Sequence, residues 1–569
     1  MIPELSVPSQ RGEHLYGSRA EAVARIERLI GKSYVLSTPE AIAARSRDTS
    51  AWLTIAAAVI CPATSEEVAG VMKICTELGV PVWPFSKGKN WGYGATMGLY
   101  DGAFILMLDR LDRIIEVSEE LAYAVIEPGV TQGQLNAYLK EHKLRLWSDC
   151  TDSTPDGSVI GNSLERGVGY TPYCDHFANL CGLEVVLPNG EVVRTGGGPS
   201  NSRTWHTHKW GTGPSLDGLF GQSNLGIVTR AGVWLMPEPE DFGCFLCEIE
   251  DPADLPAVID VVRRLALDRV IPGNVHLGND VLLLAQMTQY PYDRLTTGQT
   301  FLSPAARAQL RKRFRTAPWT LSCGLYGSKA HVRASRAIIA RELKRFGRLT
   351  YVNDRTFRVL TGAMELWAKP LGKLLSPLLE RLSHATLPKL EVIRHIYPIL
   401  KGIPGEYIVG FAYFKSATRP REDVDPARDR AGLMWQAVAC PLRGTDTDAL
   451  VKLCERIFHE HGFDFSIALI AVNPRTVLGL MEIFYRKDDA EESARAVKLQ
   501  GALAEATLAA GYPQYRTTVA FSERVLAGAP AYQALVDALK NALDPGHVLA
   551  PGRYGIALRD AELVEPSSE

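Results

Sequence analysis

The chain has 569 residues, too many for one ordinary core, so two domains are expected, with one free to be inserted in the other. A net charge of −2 and a pI near 6.7 leave no basic surplus for nucleic acid or an anionic membrane, and 46% hydrophobic with 22% charged residues is the mix of a soluble globular protein. The opening Met1-Ile2-Pro3-Glu4-Leu5 lacks the basic-then-apolar pattern of a signal peptide, and the longest apolar run, Ala51 to Cys61, falls short of the roughly 20 residues of a membrane helix, so a cytoplasmic protein is expected.

In chain order, the first third alternates helix and strand. Thr64-Ser65-Glu66-Glu67 is a capping box, followed by Val68, Val71, Met72 and Cys75 at helical spacing. Pro81 to Phe85, Ala103 to Asp109 and Ala122 to Glu127 read as strands. Glu184 to Arg194 reads as a hairpin turning at Asn189-Gly190, a dipeptide suited to positive φ, and Gly226 to Met236 as a further strand. The fold class is therefore α+β with mixed strand pairing. Pro237-Glu-Pro-Glu-Asp241 is a polar, proline-marked break and the first domain boundary. Phe242 to Ile249 is strand-like and holds Cys244 and Cys247; three residues apart on a strand they face opposite sides, a poor geometry for one metal. The other eight cysteines are scattered, which suggests reduced thiols rather than a disulfide scaffold. Helices are expected over Ser303 to Arg315, with Ser303 as N-cap and Pro304 first, and over Lys329 to Phe346 and Asp446 to His461. Lys415 to Arg430, rich in charge and proline, reads as a solvated loop. Ala531 to Leu543 is helical, stops at Asp544-Pro545 and leads into Leu549-Ala-Pro-Gly-Arg-Tyr-Gly555.

Four segments cluster glycines and small polar residues just after strands. They are Pro84 to Gly94 (with Ser86, Lys87, Gly88, Lys89, Asn90 and Gly92), Glu127 to Thr131 (with Pro128), Pro155 to Asn162 (with Gly157, Ser158, Gly161 and Asn162), and Gln222 to Val228 (with Gly226 and Ile227). Glycine allows positive φ and close backbone approach, so such loops can aim successive N–H groups at a pyrophosphate. One alone is an ordinary turn; four in this order suggest a cofactor cradle. No Walker loop and no strand–GxGxxG–helix unit is present, which disfavours nucleoside triphosphates and a Rossmann site. His206-Thr-His208 has metal-like spacing but no further ligands nearby in sequence, and reads as a polar loop; no metal is expected.

The matching motifs are Ser86-Lys-Gly-Lys-Asn-Trp-Gly-Tyr-Gly94, Gly157 to Tyr173, Gly213 to Gly226, Gly511-Tyr-Pro-Gln-Tyr-Arg516 and Leu549 to Ile556. In these the chain resembles the vanillyl-alcohol oxidase / p-cresol methylhydroxylase family of flavoproteins, in particular its 4-alkylphenol-oxidising branch. The resemblance is specific in the N-terminal half and at the end, and loose between about Asp241 and Tyr512. It implies a two-domain FAD-linked oxidase fold, in which residues 1–240 and 512–569 form the FAD-binding domain and 241–511 an inserted cap. The substrate would sit between the flavin ring and the cap, as small-molecule sites at domain interfaces do.

The resemblance also implies a reaction. A para-substituted phenol binds as phenolate, hydride leaves its benzylic carbon for flavin N5, and the resulting quinone methide adds water or loses a proton. Tyr93, Tyr515 and Arg516 match the family's phenolate-binding residues. Asp152 matches its acid/base, with Asp156 as the alternative because the spacing to Gly157 is one residue long. Val228 and Arg553 complete the residues assigned to FAD. The cap segment that would link the flavin covalently, Asp425 to Gln436, has no histidine, tyrosine or cysteine, so non-covalent FAD is expected. A paired-histidine segment of the cap is replaced around Ala471-Val-Asn-Pro-Arg475. Oxygen or a cytochrome would take the electrons, and a homodimer is among the family's usual assemblies. Two other readings stay open: a biosynthetic tailoring oxidase acting on a larger or non-phenolic alcohol, and a flavin-binding protein without turnover.

Overall fold

The computed structural model describes residues 18–198, 202–368, 386–526 and 528–556; the N-terminal pentapeptide read above lies outside them. The N-terminal part builds two sheets. In the first, Ala58–Ile60, Phe104–Met107 and Val82–Phe85 run parallel, with Val35–Leu36 antiparallel at one edge. The helix Ser65–Leu78 starts where the capping box places it. Thr64 Oγ1 accepts the N–H of Glu67 at 3.2 Å, and the Glu67 carboxylate accepts that of Ala63 at 2.6 Å. Its Val68, Val71, Met72 and Cys75 are buried.

The second sheet is antiparallel, in the order Ile114–Ser118, Tyr123–Ile126, Ile227–Trp234, Leu180–Val186 and Val192–Arg194. Its last pair is the expected hairpin, with Gly190 at φ 79°. Parallel and antiparallel pairing coexist, as α+β with mixed pairing requires.

At Asp241 the chain enters a third, eight-stranded antiparallel sheet. Its order is Gly347–Asn353, Asp241–Ile249, Trp319–Gly327, Val275–Asn279, Ile467–Asn473, Thr476–Tyr485, Gly432–Pro441 and Gln514–Arg516. This sheet thus takes its edge strand from beyond residue 511. Strand periodicity sorts its two faces. Phe245, Cys247 and Ile249 join a core with the helices Leu255–Leu267 and Gly444–Glu460, while Leu246 and Glu248 face a cavity on the other side. Cys247 lies in that core and Cys244 in a different apolar cluster, so the two thiols face apart. All ten cysteines are buried and unpaired.

After the helix Pro530–Leu543 the tail returns to the first sheet. The Val82 N–H bonds Val548 O at 2.9 Å, and the Ala550 N–H bonds Val82 O at 2.8 Å. The segment Lys415 to Arg430 forms no helix or strand, but it is not simply solvated. Lys415 is buried against Glu492 at 2.7 Å, and Asp425 pairs with Lys89 at 2.9 Å. Charge density in a sequence does not reveal which charges will find buried partners.

Candidate active site

The glycine-bearing loops converge on one cleft. Ser86, Lys87, Gly88, Lys89, Asn90, Pro128, Gly157, Ser158, Gly161, Asn162, Gly226, Ile227, Val228 and Arg553 all line it. The lining suits a dinucleotide. Ser153 Oγ and Ser223 Oγ are buried there without a protein partner, leaving them for a ligand. A Cβ on Gly161 would come within 2.0 Å of Ser86 Oγ, so the backbone approach exists only because the side chain is absent.

Gly92 stands apart from this lining. It has φ +79°, its N–H bonds the buried Asp48 Oδ1 at 2.9 Å, and a Cβ would meet Trp435 Cδ1 at 2.6 Å. Gly94 N–H bonds the same carboxylate at 3.2 Å. Asp48 therefore clamps both sides of Tyr93, and Trp435 from the eight-stranded sheet lies parallel to the Tyr93 ring, centroids 5.9 Å apart.

Tyr515 and Arg516 arrive on the edge strand Gln514–Arg516, where Arg516 is registered with Ala437. The guanidinium carbon lies 5.1 Å from the Tyr93 ring centroid and 6.0 Å from that of Tyr515. Arg516 Nε and Nη2 donate to the Glu165 carbonyl at 2.9 and 2.7 Å, which fixes the fork. Burial opposes its charge, but Tyr515, Tyr93 and Glu165 outweigh burial and hold the arginine protonated. Burial pushes both tyrosine hydroxyls up, further for Tyr93, with Arg516 opposing; a side-chain hydrogen bond with Tyr93 also holds Tyr515 down. Two protonated phenols and a fixed cation thus stand together, Tyr93 and Arg516 buried and Tyr515 half-buried, an arrangement that can hold an anionic oxygen.

Asp152 stands next to this group, on the wall between two spaces. Its neighbours Thr151 and Ser153 line the cofactor cleft, whereas Asp152 lines a second cavity of about 370 Å³ on the open face of the eight-stranded sheet. Burial raises its carboxyl, partly offset by a backbone hydrogen bond and by Arg516. Asp156 is exposed in the turn before Ser158 and lines neither space. Tyr170, His276, Trp435 and Glu482 share the cavity with Asp152. His276 stacks on Tyr170 at 4.2 Å, and burial lowers its imidazole to about 4, so it is neutral. Glu482 is 2% exposed, receives a hydrogen bond from Ser466 Oγ at 2.7 Å, and is pushed up to about 8 by burial, with Asp152 adding to the rise.

Sequence reasoning missed Asp48, Glu165, Trp435 and Glu482. Glu165 sits inside a matched motif, and its carboxylate takes Arg553 and Tyr554, so a signal was available. Burial alone would raise Glu165, but Arg553, Arg516 and Tyr554 bring it below the usual range. Glu482 is the one charged residue in the apolar run Val477 to Tyr485, so here too a signal was available. In the segment Asp425 to Gln436, Leu433 is buried and its carbonyl accepts from Thr49 Oγ1 at 2.8 Å. In the Ala471 to Arg475 stretch, the Val472 carbonyl faces the Cys174 thiol at 3.8 Å. His206 is buried with Nδ1 3.0 Å from Cys181 O; among the described residues no group of three or more potential ligands could hold a metal, and no helix is long and apolar enough to cross a membrane.

Comparison with known proteins bears on the family and the cofactor. A sequence family described as FAD binding domain matches residues 56–196. The chain is 37% identical over 537 residues to 1'-carboxy-chondrochloren decarboxylase of Chondromyces crocatus, covering 94% of this chain and 96% of that one. It is 32% identical to the flavoprotein subunit of 4-cresol dehydrogenase [hydroxylating] of Pseudomonas putida, covering 88% of each. The crystal structure of p-cresol methylhydroxylase with substrate bound superposes with a TM-score of 0.83 at 30% identity, covering 94% and 96% of the two chains. The 4-ethylphenol oxidase of Gulosibacter chungangensis does so with 0.83 at 26% identity, covering 94% and 97%. The cofactor is FAD.

Proposed function

The chain belongs to the vanillyl-alcohol oxidase / p-cresol methylhydroxylase family of FAD-linked oxidoreductases, and from that premise we propose that it removes a hydride from the benzylic carbon of a para-substituted phenol. The observation that carries this reading is the trio of buried Tyr93 and Arg516 with half-buried Tyr515, beside Asp152. FAD, when bound, supplies the hydride acceptor.

The trio does the rest of the activation. Two hydroxyl donors and a guanidinium favour the ionised form of a bound phenol, lowering its pKa. Negative charge on that oxygen is conjugated to the para carbon and weakens the benzylic C–H bond toward hydride loss. Because Arg516 is already tied to the Glu165 carbonyl, its charge needs no reorganisation as the reaction proceeds. Loss of hydride converts the phenolate into a neutral quinone methide. Asp152 then serves as acid/base: it takes a proton from a water that adds at the benzylic carbon, or from the adjacent carbon to leave a vinylphenol. Electrons leave to oxygen or to a protein acceptor such as a cytochrome.

A second fate of the same intermediate is favoured by the 37% identical relative, which is named as a decarboxylase. If the carbon next to the benzylic position carries a carboxylate, the C–CO₂ bond can break instead. Its electron pair forms the new C=C bond and the ring returns to phenolate, so carbon dioxide leaves and no external proton is needed. Both fates use one hydride step and one phenolate site.

The test is anaerobic mixing of the yellow protein with 4-ethylphenol, and separately with a 3-(4-hydroxyphenyl)propanoate, while following flavin absorbance. Bleaching by either, with vinylphenol and carbon dioxide from the second, is the expected result. A flavin that light reduces but that no phenol or alcohol bleaches would leave a flavin-binding protein without turnover. Bleaching by alcohols alone would move the chain to the tailoring oxidases.

A further inference from the structure

The cavity that begins at Asp152 runs far past the space a small phenol needs. Arg348, Glu248, Thr320, Gly278, Ala468 and Leu480 are successive sheet partners, forming one straight row across six strands. All six line the cavity. Five strand spacings of about 4.8 Å make this row roughly 24 Å long. Glu482 stands two residues beyond Leu480, on the same face, at the end next to Asp152.

The middle of the row is small: threonine, glycine and alanine hold the floor low. The roof is apolar, with Leu283, Met287, Ile393 and Ile396 from the helices Asp280–Met287 and Leu387–Ile399. At the far end Glu248 is ion-paired with Arg348 at 2.8 Å and with Lys389. Thr350 and Arg348 are exposed there, so this end is the mouth. Gln286, nine-tenths buried, also faces the cavity, and its Oε1 has no hydrogen-bond partner. A buried carbonyl oxygen left without a donor is costly unless a ligand supplies one.

We propose that this cavity is a substrate channel, and that the substrate is a phenol whose para substituent is a long, predominantly apolar chain carrying a hydrogen-bond donor where it passes Gln286. The inference rests on the phenol reading for the identity of the ring, and on the channel alone for the chain. A short alkyl group would fill only the Asp152 end. A long one continues over Ala468, Gly278 and Thr320 toward the Glu248 cluster.

The experiment uses the FAD-loaded enzyme and a 4-alkylphenol series from ethyl to octyl. Calorimetry measures binding under anaerobic conditions, and flavin absorbance measures reduction. Each added methylene buried in the channel should tighten Kd about fourfold (~0.8 kcal/mol per CH₂) through the whole series. Ala468→Phe places a ring on the channel floor one strand from Leu480, within reach of an eight-carbon chain. It should weaken 4-octylphenol at least tenfold and leave 4-ethylphenol within twofold. Gln286→Leu removes the unpaired oxygen and should tighten 4-octylphenol severalfold, since that ligand offers no donor. A wild-type series whose Kd stops falling after propyl, or an Ala468→Phe enzyme that binds 4-octylphenol as the wild type does, overturns the channel. The two readings separate cleanly: chain-length tightening without flavin reduction keeps the channel and removes phenol oxidation, whereas reduction by 4-ethylphenol without tightening does the reverse.

Discussion

In the proposed reaction Arg516 is the side chain on which the chemistry turns. Its fork is anchored on Glu165 O, and its charge is kept by two neighbouring phenols despite burial. Arg516→Ala should therefore lose about 2.7–4 kcal/mol of transition-state stabilisation, on the scale of one lost oxyanion donor, seen as a fall of 10² to 10³ in the rate of flavin reduction by 4-ethylphenol. A wild-type rate in that variant would remove Arg516 from the site. Glu482 offers a second test, through pH. Its pKa is about 8 in the folded protein against 4.5 as the ordinary value. Below pH 4.5 both folded and unfolded chains hold the proton, and the folded state bears no penalty. As pH rises toward 8 the unfolded chain releases its proton first, so stability is lost across that window. Glu482→Gln cannot titrate and should keep that stability, a difference on the order of a few kcal/mol near pH 7.5. Tm measured from pH 5 to 8 should fall faster for the wild type than for the variant; parallel curves would mean that Glu482 ionises normally. Asp152→Asn should retain FAD and slow turnover, because the group lost is the proposed acid/base and lines the second cavity rather than the cofactor cleft; a full turnover rate would pass the role elsewhere.

Among the elements, two come from opposite ends of the chain to make one surface. The loop after Val82–Phe85 carries Tyr93, clamped through Gly92 and Gly94 by Asp48. The strand Gly432–Pro441 carries Trp435, whose indole N–H reaches the Trp91 carbonyl at 3.1 Å, and it pairs with the strand that carries Arg516. Gly92 is the seam: its positive φ and the 2.6 Å approach of Trp435 leave no room for a side chain. Gly92→Ala combines left-handed strain with a clash against a packed indole. We expect lower FAD content on purification and a markedly slower phenol reduction in whatever holo-protein remains. An alanine variant with normal flavin content and normal rate would show that the loop and the sheet are not coupled there.

For the molecule as a whole, the cofactor should join folding only by binding. No nucleophile lies in Asp425 to Gln436, and the nearby Cys440 is packed in the core on the far face of the sheet, its thiol pushed up to about 12 by burial. Acid denaturation followed by centrifugation should leave the yellow colour in the supernatant and the intact chain at its unmodified mass. A yellow pellet, or a mass increased by one FAD, would reveal a linking residue. A dissociable flavin also stabilises by mass action, so added FAD should raise Tm in proportion to the logarithm of its free concentration.

What the sequence by itself determined was local. The glycines at 88, 161 and 226 and the cap at Thr64 are needs of the adjacent backbone, and such needs are written in neighbouring residues. Tyr93, Tyr515 and Arg516 were legible for a related reason: each sits inside a short motif whose spacing survives without knowledge of the fold. Tertiary structure alone decided how the three meet, because Arg516 reaches Tyr93 only through the pairing of Gln514–Arg516 with Gly432–Pro441. It also decided that Glu482, the one charged residue in an apolar strand, faces the cavity beside Asp152 and holds a proton near neutrality. Burial is a property of everything packed around a group, and the strand register that lines up Arg348 with Leu480 through four intervening strands joins residues 132 positions apart. No window of sequence contains that information.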